Sequence, residues 1–177
     1  MDGDWFDWED SLPEYEQEFL QELRRFALGW QQLGVEWGHT GVFRPDGVLA
    51  CVVDVSDRVR ILDAHRIDLH RGYVLLSSDG TDQFVRPLSE GGGAERRSAA
   101  DASTLAHASA EWVECQLRRR IERHEWTVDG GRHKRWCYVD SDLDLFVEGP
   151  GYREVSRSEL GPEFERSVVR DFSLKKE

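Results

Sequence analysis

The chain has 177 residues and 20.5 kDa, with 35 acidic side chains against 23 basic ones and a formal net charge of −12. A hydrophobic share of 39% supports a buried core and excludes wholesale disorder, and the length fits one domain of ordinary size. No apolar run approaches the roughly 18 residues that span a bilayer, and Met1 is followed by acids where a leader would be basic and apolar. A cytoplasmic chain without membrane contact is the resulting expectation. Cys51, Cys115 and Cys137 are an odd set with no C-x-x-C spacing, which argues against a disulfide framework and a zinc ribbon.

The charge is unevenly placed. Residues 1–22 hold nine acids and no lysine or arginine, which leaves the other 155 residues at a net −3. The opposite sign collects between Arg118 and Arg135, where seven bases meet three acids.

Residues 1–10 interleave carboxylates with Trp5, Phe6 and Trp8, and this acidic aromatic segment is set apart from a single α+β domain over residues 11–177. Ser11-Leu12-Pro13-Glu14 has the form of a capping box. Tyr15, Phe19, Leu23, Phe26, Trp30 and Leu33 then recur at steps of three and four, the stripe of a long amphipathic helix ending near Gly34. From Val35 to Leu88 the period falls to two. Val42-Phe43, Val48–Val55, Val59–Leu69, Tyr73–Leu76 and Gln83–Val85 read as an antiparallel meander, with turns at Arg44-Pro45-Asp46-Gly47 and Ser77-Ser78-Asp79-Gly80.

Gly91-Gly92-Gly93 lies in a stretch from about 89 to 103 that reads as a mobile loop. It has no Walker pattern and no following lysine, so it is not read as a phosphate cradle. A second helix is expected from Ser103 to His124, with Leu105, Ala108, Trp112, Val113, Leu117 and Ile121 inside and arginines in its last turns. Trp126–Val128 and Trp136–Val139 flank the turn Asp129-Gly130-Gly131, Leu143–Val147 is a further strand, and Ser158–Phe172 reads as a short terminal helix.

Four constellations carry chemistry. Asp68 and His70 share one face of a strand and form the catalytic alternative, a carboxylate orienting an imidazole for a small hydrolase; the ordinary reading is a wet strand face. Asp140, Asp142 and Asp144 resemble the opening of a calcium loop, but Leu145 and Gly151 stand where glycine and glutamate are required, so no metal and no cofactor is expected. Arg119, Arg120 and Arg123 form an anion-binding or charge-pairing group, with Arg119 and Arg123 one helical turn apart. The net −12 argues against a nucleic acid as its ligand, and mimicry of a phosphate backbone by the N-terminal acids is the remaining nucleic-acid reading. Asp4, Trp5, Phe6, Asp7 and Trp8 combine acids with aromatic anchors, the composition of a partner-binding element for a basic protein surface.

The order helix, meander, helix, hairpin, helix resembles the α+β layout of type III secretion chaperone-like proteins. The small, acidic, tryptophan-rich composition is similar to that of bacterial immunity proteins. The likeness is one of topology and composition, and no site residue follows from it. The expected function is a non-enzymatic, bacterial-type protein-binding domain, immunity-, chaperone- or adaptor-like, with a homodimer through the long helix or a sheet edge left open.

Overall fold

In the computed structural model the described residues are 4–8, 11–57, 59–78, 94–128, 130–141, 144–149 and 165–171. They form an α+β protein whose contacts divide into two compact units, Met1–Leu117 and Arg118–Glu177.

In the first unit, α1 (Glu14–Trp30) is the amphipathic helix of the sequence pattern. Phe19, Leu20, Leu23, Ala27 and Trp30 are its buried stripe, and a short 3₁₀ turn over Gln31–Leu33 carries the chain to a left-handed Gly34. Its start differs from expectation. The residue before the helix is Pro13, whose carbonyl accepts the amides of Glu16 and Gln17, and no side chain caps the end. Ser11 is not the cap: the helix begins at Glu14 with Pro13 before it, two residues later than a Ser11 cap would set it, so Glu14 opens the helix instead of closing a box with Ser11.

The strands β1 (Thr40–Phe43), β2 (Leu49–Ser56), β3 (Ile61–His70), β4 (Tyr73–Ser78) and β5 (Glu95–Ser98) form one antiparallel sheet in sequential order. The meander holds, and β5 lies inside the stretch read as a loop. The strand expected at Gln83–Val85 and the triple glycine lie outside the described residues. β3 and β4 are joined by the pair Arg71-Gly72, where Gly72 takes the left-handed φ of 87° and its amide donates to the Tyr15 hydroxyl of α1.

The helix α2 (Ala102–Leu117) starts from Asp101, whose carboxylate accepts from the Thr104 amide at 2.7 Å and from its hydroxyl at 2.9 Å. These bonds hold the Asp101 carboxyl below its usual range. α2 packs on α1 and on β3 and β4, and Trp112 meets the His65 ring edge-on at 5.8 Å.

The second unit departs further from the sequence reading. The chain leaves helix at Leu117, and β6 (Ile121–Val128) takes the residues expected to finish α2. With β7 (Gly131–Tyr138), β8 (Asp144–Glu148) and β9 (Glu165–Arg170) it forms a second antiparallel sheet in the order β8-β7-β6-β9. Ile121 pairs with Tyr138 and Val128 with Gly131, so the hairpin runs eight residues back from its turn. That ladder outweighs a helical stripe which Ile121 would extend by only one contact. Likewise Val168 and Val169, expected in a terminal helix, lie in β9 beside β6. The rest of that predicted helix, up to Phe164 and from Phe172, lies outside the described residues.

Trp5 and Phe6 belong to the core of the first unit. Both rings meet Trp30 edge-on, at centroid distances of 6.4 and 6.1 Å, and Phe6 is 0% exposed. Truncating Phe6 to alanine is therefore expected to cost about 3–5 kcal/mol in denaturant unfolding. Trp8→Ala, at a half-buried side chain, is expected to cost about 1 kcal/mol or less in the same measurement.

Candidate functional site

The N-terminal segment is held by one guanidinium. Arg24, on α1, donates from Nε to the Trp5 carbonyl at 2.9 Å and from Nη2 to the Phe6 carbonyl at 2.8 Å. The Phe6 amide donates to Thr40 Oγ1 at 3.1 Å, and that hydroxyl in turn donates to the Trp37 carbonyl. Between these anchors Phe6 has a φ of 52°, a left-handed conformation that costs a bulky residue about 1–3 kcal/mol. Charge-assisted bonds contribute about 1.5–3 kcal/mol each, so two from Arg24 hold the turn against its strain.

The turn divides the five residues expected to bind a partner. Trp5 and Phe6 point inward against Trp30, Phe6 fully buried and Trp5 keeping only an edge on the groove described next. Asp4 and Asp7 are exposed and Trp8 is half-buried. These three border a groove of about 600 Å³ whose other wall is Arg24, Arg25 and Leu28 on α1. Leu28 is 63% exposed, an apolar contact on the outer side of the helix. A second groove of about 440 Å³ lies on the other flank of Trp8, against Leu12, Gln17 and Gln21. Among the described residues the buried indole N–H of Trp8 has no hydrogen-bond acceptor.

The carboxylates of the N-terminal segment and of α1 differ in their partners. Glu16 is held by Arg44 in a two-pronged pair at 2.6 and 3.0 Å, and Glu22 by Arg25 at 2.6 Å. Among the described residues no cation pairs with Asp4, Asp7, Glu14 or Glu18. The arginine-rich stretch is the reverse case, neutralised inside its own unit. Arg119 grips Asp140 through Nε at 2.8 Å and Nη2 at 2.7 Å while its guanidinium lies 3.6 Å over the Tyr138 ring. Arg120 pairs with Glu122 and Asp171, Arg123 and Arg132 both pair with Glu125, and Arg135 pairs with Asp144. Arg119 precedes β6 and Arg123 lies within it, so the helical spacing expected of them does not exist.

β3 is buried on both faces from Leu62 to Leu69, which overturns the wet face expected for Asp68 and His70. Asp68 is 0% exposed, and Arg66 on the same face donates to both its oxygens, at 2.6 and 3.0 Å. His70 stacks on Tyr73 at 4.6 Å, and Arg96 covers the Tyr73 ring at 3.9 Å. In the acidic trio, Asp140 is bound to Arg119 and Asp144 to Arg135, and Asp142 lies outside the described residues. The hydrogen bond from Arg119 holds the Asp140 carboxyl below its ordinary range. No group of three metal-ligating side chains occurs among the described residues.

A further cluster escaped the sequence reading. On β6 and β7, Glu122 Oε2 lies 3.1 Å from His124 Nε2, and Arg135 Nε lies 3.3 Å from His124 Nδ1. Burial and then Arg135 and Arg166 keep the His124 imidazole below its usual pKa, against the pull of Glu122. Burial pushes the Glu122 carboxyl up, but His124 and Arg120 outweigh it and hold it below the ordinary value. Only the antiparallel register, which sets Glu122 opposite Cys137 and His124 opposite Arg135, brings these residues together. In the sequence they were read as helix on one side and hairpin on the other.

No protein-family model, curated protein or solved structure matches the chain, so neither resemblance drawn from topology and composition gains a relative.

Two measurements follow from these pairs. Asp68→Ala removes the carboxylate that takes two bonds from the buried Arg66 and is expected to lower unfolding free energy by about 3–5 kcal/mol, while the double change Arg66→Met with Asp68→Leu recovers most of it. Because the folded pKa of His124 lies below its unfolded value near about 6.5, the unfolded chain takes up a proton that the folded chain refuses as pH falls. Stability should thus decline between about pH 7 and about pH 5, and His124→Gln should flatten that decline in unfolding titrations.

Proposed function

We propose that the chain is a non-enzymatic protein-binding module, adaptor-like in character, that takes a basic segment with one apolar anchor from another protein. The observation that carries this reading is the strained Phe6 turn, clasped by Arg24, which keeps Asp4, Asp7 and Trp8 at the rim of a groove facing Leu28. Strain of this kind persists only where surrounding bonds over-determine it, and it concentrates at binding sites. The groove pairs an aromatic and an aliphatic surface with carboxylates that have no cation among the described residues, which suits a lysine- or arginine-bearing partner. A polyanion would meet the same carboxylates with the wrong sign, and the arginines of the second unit are already engaged by acids.

The probe is a synthetic peptide of lysine and arginine with a central leucine or tryptophan, titrated against the full chain by calorimetry. Saturable binding is expected at low salt, weakening at least about tenfold towards 0.5 M salt as exposed charges are screened. Trp8→Ala and the double change Asp4→Asn with Asp7→Asn should each reduce affinity by about tenfold or more while leaving circular dichroism unchanged. Trp5 is unsuited to this comparison because its loss also opens the core. Binding indifferent to Trp8, to both aspartates and to salt would overturn the proposal.

A further inference from the structure

Trp8 stands between two grooves, and the second is lined differently from the first. Around the second, of about 440 Å³, are the Ser11 hydroxyl, the primary amides of Gln17 and Gln21, and the apolar Leu12 and Leu20. Arg24 lines both grooves and is the one charge among the described residues lining the second. Its fork is already turned to the carbonyls of Trp5 and Phe6. Gln17 is held in place, because its Nε2 donates to the Leu12 carbonyl at 2.5 Å, a bond that uses one of its two amide hydrogens. Ser11, Gln17 and Gln21 are all exposed.

These residues follow one side of α1. Gln17, Gln21, Arg24 and Leu28 are spaced four, three and four, the interval of a single helical face. From Gln17 to Leu28 the helix rises about 17 Å. An extended segment covers that distance with about five residues, at about 3.3 Å each. Its main chain brings N–H and C=O groups that lose water as they settle beside Leu12 and Leu20, and they need partners there. A primary amide both donates and accepts, so two of them next to a hydroxyl answer such a chain. A helical partner has bonded its main chain internally and would make no use of them.

We propose that the two grooves form one site for an extended segment of about five or six residues of the partner protein, ordered cation, apolar residue, uncharged polar residues. The inference rests on the reading of the groove beside Asp4 and Asp7 as the seat of the cation. The apolar residue packs on Trp8, which belongs to both grooves. Beyond it the main chain exchanges hydrogen bonds with Gln17 and Gln21, and its neutral side chains meet Leu12 and Leu20. A basic cluster without a neutral tail would fill only half of the site.

The experiment titrates the full chain at low salt with two synthetic peptides, both capped at their ends, and reads affinity by calorimetry. The long peptide is arginine, lysine, leucine, asparagine, serine, asparagine; the short one stops after leucine. The long peptide is expected to bind about tenfold tighter or more, since its tail adds hydrogen bonds and apolar contact. Gln21→Ala, an exposed helix position that alanine suits, should weaken the long peptide by about threefold to tenfold and leave the short one unchanged. Asp4→Asn with Asp7→Asn should weaken both peptides by the same factor, because the tail is distant from that end. Circular dichroism of each variant should match that of the unaltered chain. Equal affinity of the two peptides, or a long peptide indifferent to Gln21→Ala, would overturn the two-part site while the cation groove stands. Failure of both peptides to bind would overturn the groove reading and this inference with it.

Discussion

The first unit depends on where a single guanidinium spends its hydrogen bonds. Arg24 sits on the polar side of α1 by sequence pattern, yet it turns its fork to the carbonyls of Trp5 and Phe6. Those carbonyls need partners because the turn that presents them is buried among Trp30 and its neighbours. Arg24 therefore supplies both the donors that make burial of the segment tolerable and the restraint that holds Phe6 at positive φ. The aromatic contacts alone would bury two rings without fixing which way Trp8 and the aspartates face.

In the second unit the equivalent constraint is strand register. Alternation along β6 puts Arg123 and Glu125 on one face and Glu122 and His124 on the other, and β7 answers each with its own set. On one face Arg123 and Arg132 flank Glu125; on the other, Arg120 and Arg135 flank the Glu122–His124 pair. The observed register sets Glu125 opposite Lys134, and a one-residue slip in one direction would set Arg123 opposite Arg135 instead. Of the seven bases between Arg118 and Arg135, Arg132, Lys134 and Arg135 pair across strands, while Arg119, Arg120 and Arg123 pair with other acids of the same unit. As a patch they would be costly, and most are drawn into pairs before any ligand arrives.

The sequence made α1, the meander and the turn at Arg44-Pro45-Asp46-Gly47 legible because each is decided within about ten residues, by a period and a turn; the turn read at Ser77-Ser78-Asp79-Gly80 begins inside β4, and its last two residues lie outside the described ones. The switch from α2 to β6 was not legible, since Ile121 fits a helical stripe as well as a strand and its deciding partner, Tyr138, lies at the far end of β7. The same limit governs the sites. The segment Asp4–Trp8 was visible by composition, but its division into inward and outward residues depends on Arg24 and Thr40, which local reading cannot connect to it. Asp68 and His70 do share a face, as spacing required. What spacing could not show is that Arg66, two residues away on that face, takes both carboxylate oxygens. Glu122, His124 and Cys137 meet only through a pairing of strands, and the sequence carries no motif for them.

Net charge is a poor guide to this molecule until each charge is followed to its partner. Most of the −12 lies in the first 22 residues, but two of those carboxylates are spent on Arg44 and Arg25, which fasten and flank α1. Asp4, Asp7, Glu14 and Glu18 have no such cation among the described residues, and two of them border the groove next to Trp8 and Leu28. A carboxylate beside apolar surface is partly desolvated when that surface is covered, so an uncharged partner would impose a cost that a cation avoids. Arg24 and Arg25 on the α1 wall offset Asp4 and Asp7, so the proposed preference for a cation rests on the aspartate side of the groove. Exposed charge around an aromatic anchor raises the encounter rate of a basic segment, and the anchor sets how long it stays.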